Sequence, residues 1–258
     1  MKAKKSYGQH FLTNEQTASR IAESLQLNDA YDRVLEIGPG RGMLTKYLLP
    51  ADYELLVVEA DRDMVLYLQK YYPELQDQII SADFLKVELS QVMGDRPFAI
   101  IGNFPYNISS QILFKMLDHK EQVPELVGMF QREMAQRVVA DPGSKTYGVI
   151  SVLVQAYYHG EYLFTVDRSQ FHPPPKVQSG VIRLWRKTES PIDCDPKLFR
   201  RIVKQTFSQR RKMLRNTMNS FIKGDPLLRE PFFQQRPERL SVEDFVWLTQ
   251  QVTARIGH

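Results

Sequence analysis

Val34-Leu35-Glu36-Ile37-Gly38-Pro39-Gly40-Arg41-Gly42 is an apolar run broken by one acid and followed by three glycines at alternate positions. The first four residues read as a buried strand. The glycines let the chain turn tightly and approach a ligand without Cβ interference. Working outward, short apolar runs recur at residues 54–59, 79–81, 98–101 and 126–130, several of them closed by a glycine or an acid. Between them, residues 43–49, 64–71 and 110–117 carry apolar side chains at helical spacing. Strands alternating with helices predict a doubly wound α/β domain with a mostly parallel sheet. Residues 162–166 and 181–185 flank the proline-rich Phe171-His172-Pro173-Pro174-Pro175 and predict an antiparallel edge. Past residue 188 the pattern is helical, with 196–222 as one long helix and 241–256 as the last, opened by the capping box Ser241-Val242-Glu243-Asp244. Two domains are expected, 1–188 and a small helical one at 189–258.

Composition narrows the function classes. The chain has 258 residues, 43% hydrophobic and 25% charged, enough to bury a full core. Cys194 is the only cysteine, which excludes an intrachain disulfide, and neither a CxxC nor an HExxH motif is present, so no metal is expected. No apolar run approaches the roughly 20 residues that span a bilayer, and the N-terminus is basic without an apolar segment behind it, which predicts a cytoplasmic protein that does not enter membranes. The net charge of +4 favours a polyanionic partner, although a mildly basic surface is also ordinary.

The glycine spacing is GxGxG rather than GxGxxG, with Met43 at the sixth position, which speaks against a dinucleotide. With no pyrophosphate to receive, the loop at Gly38 and Gly40 suits the aminoacid end of S-adenosylmethionine, although such a turn alone is also a common strand–helix connection. Glu59 closes the second strand about 20 residues on, where a carboxylate can accept from ribose hydroxyls. Asp83-Phe84 closes the third, where the acid can accept from an adenine amine while the ring stacks on the base. Each acid alone is more often a helix cap, but three such features at successive strand ends form a cofactor site.

Asn103-Phe104-Pro105-Tyr106 closes the fourth strand, at the end of the sheet where ligands bind. An adenine amine is a poor nucleophile because its lone pair is delocalised into the ring. The Asn103 side-chain oxygen and the Phe104 carbonyl can accept its two hydrogens and localise that pair, Pro105 fixes the backbone, and Tyr106 offers a stacking face. Phe171 is the candidate for a second face, with a buried core ring as the ordinary alternative. If 196–221 is one helix, Lys197, Arg200, Lys204, Arg211 and Arg215 form a basic stripe suited to RNA phosphates, beside an inward face of Phe199, Val203, Phe207, Leu214 and Phe221. Lys2, Lys4 and Lys5 add a basic arm.

Taken together with Gly8-Gln9-His10-Phe11-Leu12, residues 171–179 and 207–216, these motifs resemble the ribosomal RNA adenine dimethyltransferase family, in its small-subunit branch linked to kasugamycin sensitivity. The resemblance runs over nearly the whole chain. It implies a class I, Rossmann-like S-adenosylmethionine-dependent methyltransferase that dimethylates N6 of two adjacent adenosines near the 3′ end of small-subunit RNA. It also implies a 30S assembly intermediate as partner and a monomeric enzyme. The residues matching Gln9, His10, Leu12, Gly38, Glu59, Asp83 and Asn103 are implied to contact the cofactor. His10 stands where asparagine is common and Phe104 where leucine is usual. The rivals are a large-subunit RNA or DNA adenine methyltransferase of the same fold and an assembly factor for which turnover is secondary.

Overall fold

In the computed structural model, which describes residues 10–188 and 192–256, four of the five apolar runs are strands buried almost throughout, as a covered parallel sheet requires. The strands are β1 (Phe11–Leu12), β2 (Arg33–Ile37), β3 (Glu54–Glu59), β4 (Ile79–Ser81), β5 (Phe98–Asn103), β6 (Glu125–Gln131), β7 (Tyr158–Val166), β8 (Phe171–His172) and β9 (Ser179–Arg186). The helices are α1 (Glu15–Ala22), α2 (Thr45–Leu48), α3 (Arg62–Tyr71), α4 (Leu89–Met93), α5 (Ser109–Asp118), α6 (Arg132–Val138), α7 (Val149–Gln155), α8 (Pro196–Ser208), α9 (Leu214–Met218) and α10 (Val242–Ile256).

Seven strands form one sheet in the order β4-β3-β2-β5-β6-β9-β7, and β1 pairs with β8 in a separate antiparallel ribbon. Strands β2 to β6 run parallel, and β9 joins β6 antiparallel, as the edge reading predicts. The order reverses between β2 and β5, so a crevice opens at their carboxyl ends, where the glycine loop and Asn103 emerge.

Two compact units are present. The first comprises the described residues up to Ala135 together with Gly160–Arg186. Its core runs from Ala18 and Ile21 of α1 through Val34, Val57, Ile101 and Met129 of the sheet. Glu125, fully buried, accepts from the amides of Gln26 and Leu27 and from the Tyr31 hydroxyl, and pairs with Arg183 Nε at 2.5 Å. This satisfied charge cluster fixes the segment between α1 and β2 against β6 and β9.

The second unit comprises Gln136–His159 and the described residues from Lys187 onward. A boundary at 188 therefore leaves out one segment: α7 carries Ile150 to Val154 all buried and packs on α8, which lies more than 40 residues later. Helix α10 opens with the reciprocal cap read from the sequence, Ser241 N to Asp244 Oδ2 at 2.9 Å and Asp244 N to Ser241 Oγ at 3.1 Å.

The long helix expected over 196–222 is corrected. It ends at Ser208, where Gln209 leaves helical geometry (φ −123°, ψ 49°), and α9 starts only at Leu214. Leu214 is fully buried and its amide donates to Gln235 O at 2.9 Å, so its placement in the core takes precedence over continuing the helix. Arg200 and Lys204 thus lie on α8, Arg211 in the turn and Arg215 on α9, and the single stripe dissolves. Of the inward face, Phe199, Val203 and Leu214 are buried, whereas Phe207 and Phe221 are half-buried.

Candidate active site

The first unit holds a cavity of about 890 Å³ at the sheet's switch point. His10, Leu12, Gly38, Gly40, Glu59, Asp83, Phe84, Asn103, Pro105 and Tyr106 all line it. Gln9 and the basic arm of Lys2, Lys4 and Lys5 lie outside the described residues.

The loop after β2 has the backbone its glycines permit: Gly38 and Gly40 adopt φ of +68° and +57°, which L side chains rarely reach. Glu59, almost fully buried, clamps this loop. Its Oε2 accepts from Gly40 N at 3.1 Å and its Oε1 from Asp61 N at 2.8 Å, leaving lone pairs for ribose hydroxyls. Burial raises its pKa above the ordinary carboxylate value, against these hydrogen bonds. Asp83 Oδ1 accepts from Leu85 N at 3.0 Å and starts a one-turn helix. Phe84 is 3% exposed and presents what remains to the cavity.

At the other end, Asn103 Nδ2 donates to His10 O at 3.0 Å. The amide nitrogen is thereby engaged, and the side-chain oxygen is left to accept. Phe104 N donates to Met129 O at 3.1 Å, which sets the backbone of the loop. The Phe104 ring lies over Gly102 and Gly128, adjacent on paired strands, and meets Phe130 edge-on at 5.1 Å. That glycine pair leaves the space in which the Phe104 ring is seated. Tyr106 is pinned twice: its hydroxyl is 2.6 Å from Ser179 Oγ, and its ring stacks on His10 at 5.7 Å. Burial raises the phenol's pKa, keeping it neutral.

The placement of Phe171 as a second stacking face is corrected. It is 3% exposed, belongs to the hydrophobic core and does not line the cavity. Pairing of Leu12 with Phe171 and of Phe11 with His172 fixes the alternation, and the side chain offered to the cavity is His172.

Sequence reasoning passed over Glu36 and Ser179. Glu36 lines the cavity, is 1% exposed and accepts from Thr45 Oγ1 at 2.7 Å; burial pushes its carboxyl up to about 8. Its signal was an acid inside the first strand. Ser179 closes the proline-rich segment, but only the fold brings it to Tyr106. Among the described residues no group of three or more His, Cys, Asp or Glu is placed to hold a metal, and no helix is long and apolar enough to cross a membrane.

A doubly wound sheet whose switch point carries a positive-φ GxGxG loop, an acid closing the neighbouring strand and an Asn-x-Pro-Tyr corner defines a methyltransferase of the S-adenosylmethionine-binding class. The relatives are specific. The family model for ribosomal RNA adenine dimethylase matches residues 1–230, and the chain belongs to that family. It is 53% identical over 254 residues to the ribosomal RNA small subunit methyltransferase A of Flavobacterium johnsoniae, covering 98% of this chain and 97% of that one. Among solved structures it is similar to a dimethyladenosine transferase from Plasmodium falciparum, with a TM-score of 0.79, 26% identity, and 95% and 98% of the two chains covered. The 23S rRNA methyltransferase ErmE, at 24% identity, a TM-score of 0.72, and 94% and 99% coverage, shares the fold.

Proposed function

We propose that this protein dimethylates N6 of two adjacent adenosines near the 3′ end of small-subunit ribosomal RNA, acting as a monomer on a 30S assembly intermediate in the cytoplasm. The observation that carries the chemistry is the Asn103–His10 hydrogen bond, which fixes the orientation of the Asn103 amide and leaves Oδ1, an acceptor by nature, free for the substrate. An adenine amine held by that oxygen and by the Phe104 carbonyl has both hydrogens engaged, which localises its lone pair. Tyr106, held by Ser179 and His10, supports the flipped base. The loop at Gly38 and Gly40, with Glu59, Asp83 and Phe84, would hold S-adenosylmethionine, which supplies an already activated methyl group, so no strong general base is required. Alignment by these residues supplies much of the rate.

RNA binding is supported by charge. The second unit carries sixteen Lys and Arg against nine Asp and Glu, a net of +7, within a chain of net +4, so the first unit is net −3. Such a surface holds phosphate backbone without reading sequence. Arg200 and Lys204 on α8, Arg211 in the turn that follows and Arg215 on α9 serve as RNA backbone contacts.

The test is methyl transfer from labelled S-adenosylmethionine to small subunits lacking adenine dimethylation, with the product mapped by mass spectrometry. Dimethyladenosine near the 3′ end, reduced about a hundredfold or more in Asn103→Ala, is the expected result. Tight subunit binding without transfer overturns the reading and leaves an assembly factor; product on large-subunit RNA overturns the substrate.

A further inference from the structure

We propose that Lys115 is a positioning residue for the adenine end of the cofactor site, a role that rests on reading Asp83 and Phe84 as the adenine contacts. The Lys115 ammonium donates to the carbonyl of Phe84 at 2.7 Å and to that of Val87, and stands 4.9 Å from the centroid of the Phe84 ring. The turn that presents Asp83 and Phe84 to the cavity is thus tied at both ends. Asp83 caps its start through Leu85 N, and Lys115 takes up the carbonyls along and beyond it. A single turn has too few internal hydrogen bonds to hold itself, so its geometry depends on these ties. Burial pulls the Lys115 pKa below its ordinary value, with Glu88 and Asp83 opposing, so desolvating the ammonium carries a cost that its carbonyl contacts offset.

Helix α5 gives the residue its reach. It begins directly after the acceptor corner, where Ile108 N donates to Pro105 O and Ser109 Oγ donates to Tyr106 O, both at 3.1 Å. Lys115 follows six residues later, about 9 Å along the helix. One rigid element therefore braces the acceptor corner at its first turn and the adenine turn further along. The two ends can be separated by experiment, because the lysine touches only the second.

Lys115→Met keeps the aliphatic stem and removes the ammonium, whereas Lys115→Arg keeps a cation. With S-adenosylmethionine and unmethylated small subunits varied in turn, Lys115→Met is expected to raise KM for the cofactor about tenfold, the scale of one charge-assisted hydrogen bond. The kcat and the KM for the subunit stay within about twofold. Lys115→Arg recovers most of the loss, and adenosine as a competitive inhibitor weakens by the same factor in Lys115→Met. Asp83→Asn is run alongside. An unchanged cofactor KM in Asp83→Asn overturns the adenine-end reading and this role with it. A raised value there with an unchanged one in Lys115→Met overturns the role of Lys115 alone. A joint fall of kcat, both affinities and melting temperature in Lys115→Met makes the lysine merely structural and also overturns it.

Discussion

Adding one methyl group at Gly128 tests how the acceptor corner is built. A Cβ placed there overlaps Cε2 of Phe104 and lies 2.8 Å from Cε2 of Phe130 and 2.9 Å from Cδ2 of Phe104, where ordinary contacts begin near 3.4 Å. Phe104 is 1% exposed and cannot swing into solvent, and on its other side Gly102 already lies against Cε1. Both the ring and the backbone of the corner must shift, at an overpacking cost of about 3 kcal/mol. Gly128→Ala should then lower the melting temperature of the first unit by roughly 6–12 °C, read by calorimetry. Because the Phe104 carbonyl moves with its ring, kcat should fall further than the cofactor affinity. Phe104→Leu alone leaves a cavity and costs about 1–2 kcal/mol. In the double variant the smaller side chain makes room for the methyl, so the two penalties should fall short of their sum by at least 1 kcal/mol or so. Strictly additive penalties, or a neutral Gly128→Ala, refute the packing of Phe104 over the glycine pair as the basis of the corner's geometry.

Glu36 couples stability to pH. Its carboxyl sits at about 8 in the fold against an ordinary 4.5, so between these values the folded protein keeps a proton that the unfolded chain has released. Its contribution is complete below about 4.5 and is lost as pH rises through 8, with a slope of up to about 1.4 kcal/mol per pH unit. Glu36→Gln retains a partner for Thr45 and should flatten denaturation midpoints measured from pH 5.5 to 8.5; parallel profiles for the two proteins count against the burial argument. Arg211→Ala and Arg215→Ala should each weaken subunit binding and reduce the salt slope of affinity by about 1, with cofactor affinity unchanged. Equal slopes in variant and parent place those side chains off the RNA.

The parallel sheet was legible because each strand is a short Val/Ile/Leu run, and its ligand end was legible because glycines and acids accumulate where strands stop. The glycine loop, Glu59, Asp83 and the Asn103 corner therefore fall together. What escaped the reading depends on distant partners. Nothing between Ser208 and Lys212 is a helix breaker, and the break at Gln209 reflects the seating of Leu214 against a segment twenty residues later. Phe171 looks like an exposed stacking ring beside stiff prolines until its pairing with Leu12 turns it inward. Residues 136–159 join the later helices because α7 buries five consecutive residues, four of them apolar, and packs on α8. Of the site residues that were missed, Glu36 left one mark, an acid inside an apolar strand, whereas Ser179 and Lys115 act on protein groups 73 and about 30 residues away, and local spacing carries no trace of such contacts.

The ribbon of β1 and β8 bears on how the protein is made. One wall of the cavity comes from residues 10–13, and the strand that fixes it arrives with residues 171–172, about 160 positions later. A ribosome adding roughly 5–20 residues per second separates these two events by some 10–30 s. Over the last 70 or so residues of that interval, once Asn103 has been added, the glycine loop and its acids are all synthesised, yet the wall beside them has no partner strand. A nascent chain halted before His172 holds most of the residues proposed to bind the cofactor without the enclosure that gathers them. On the proposed function, the capacity to take up the cofactor arrives late in translation, as one of the last acts of assembling the first unit.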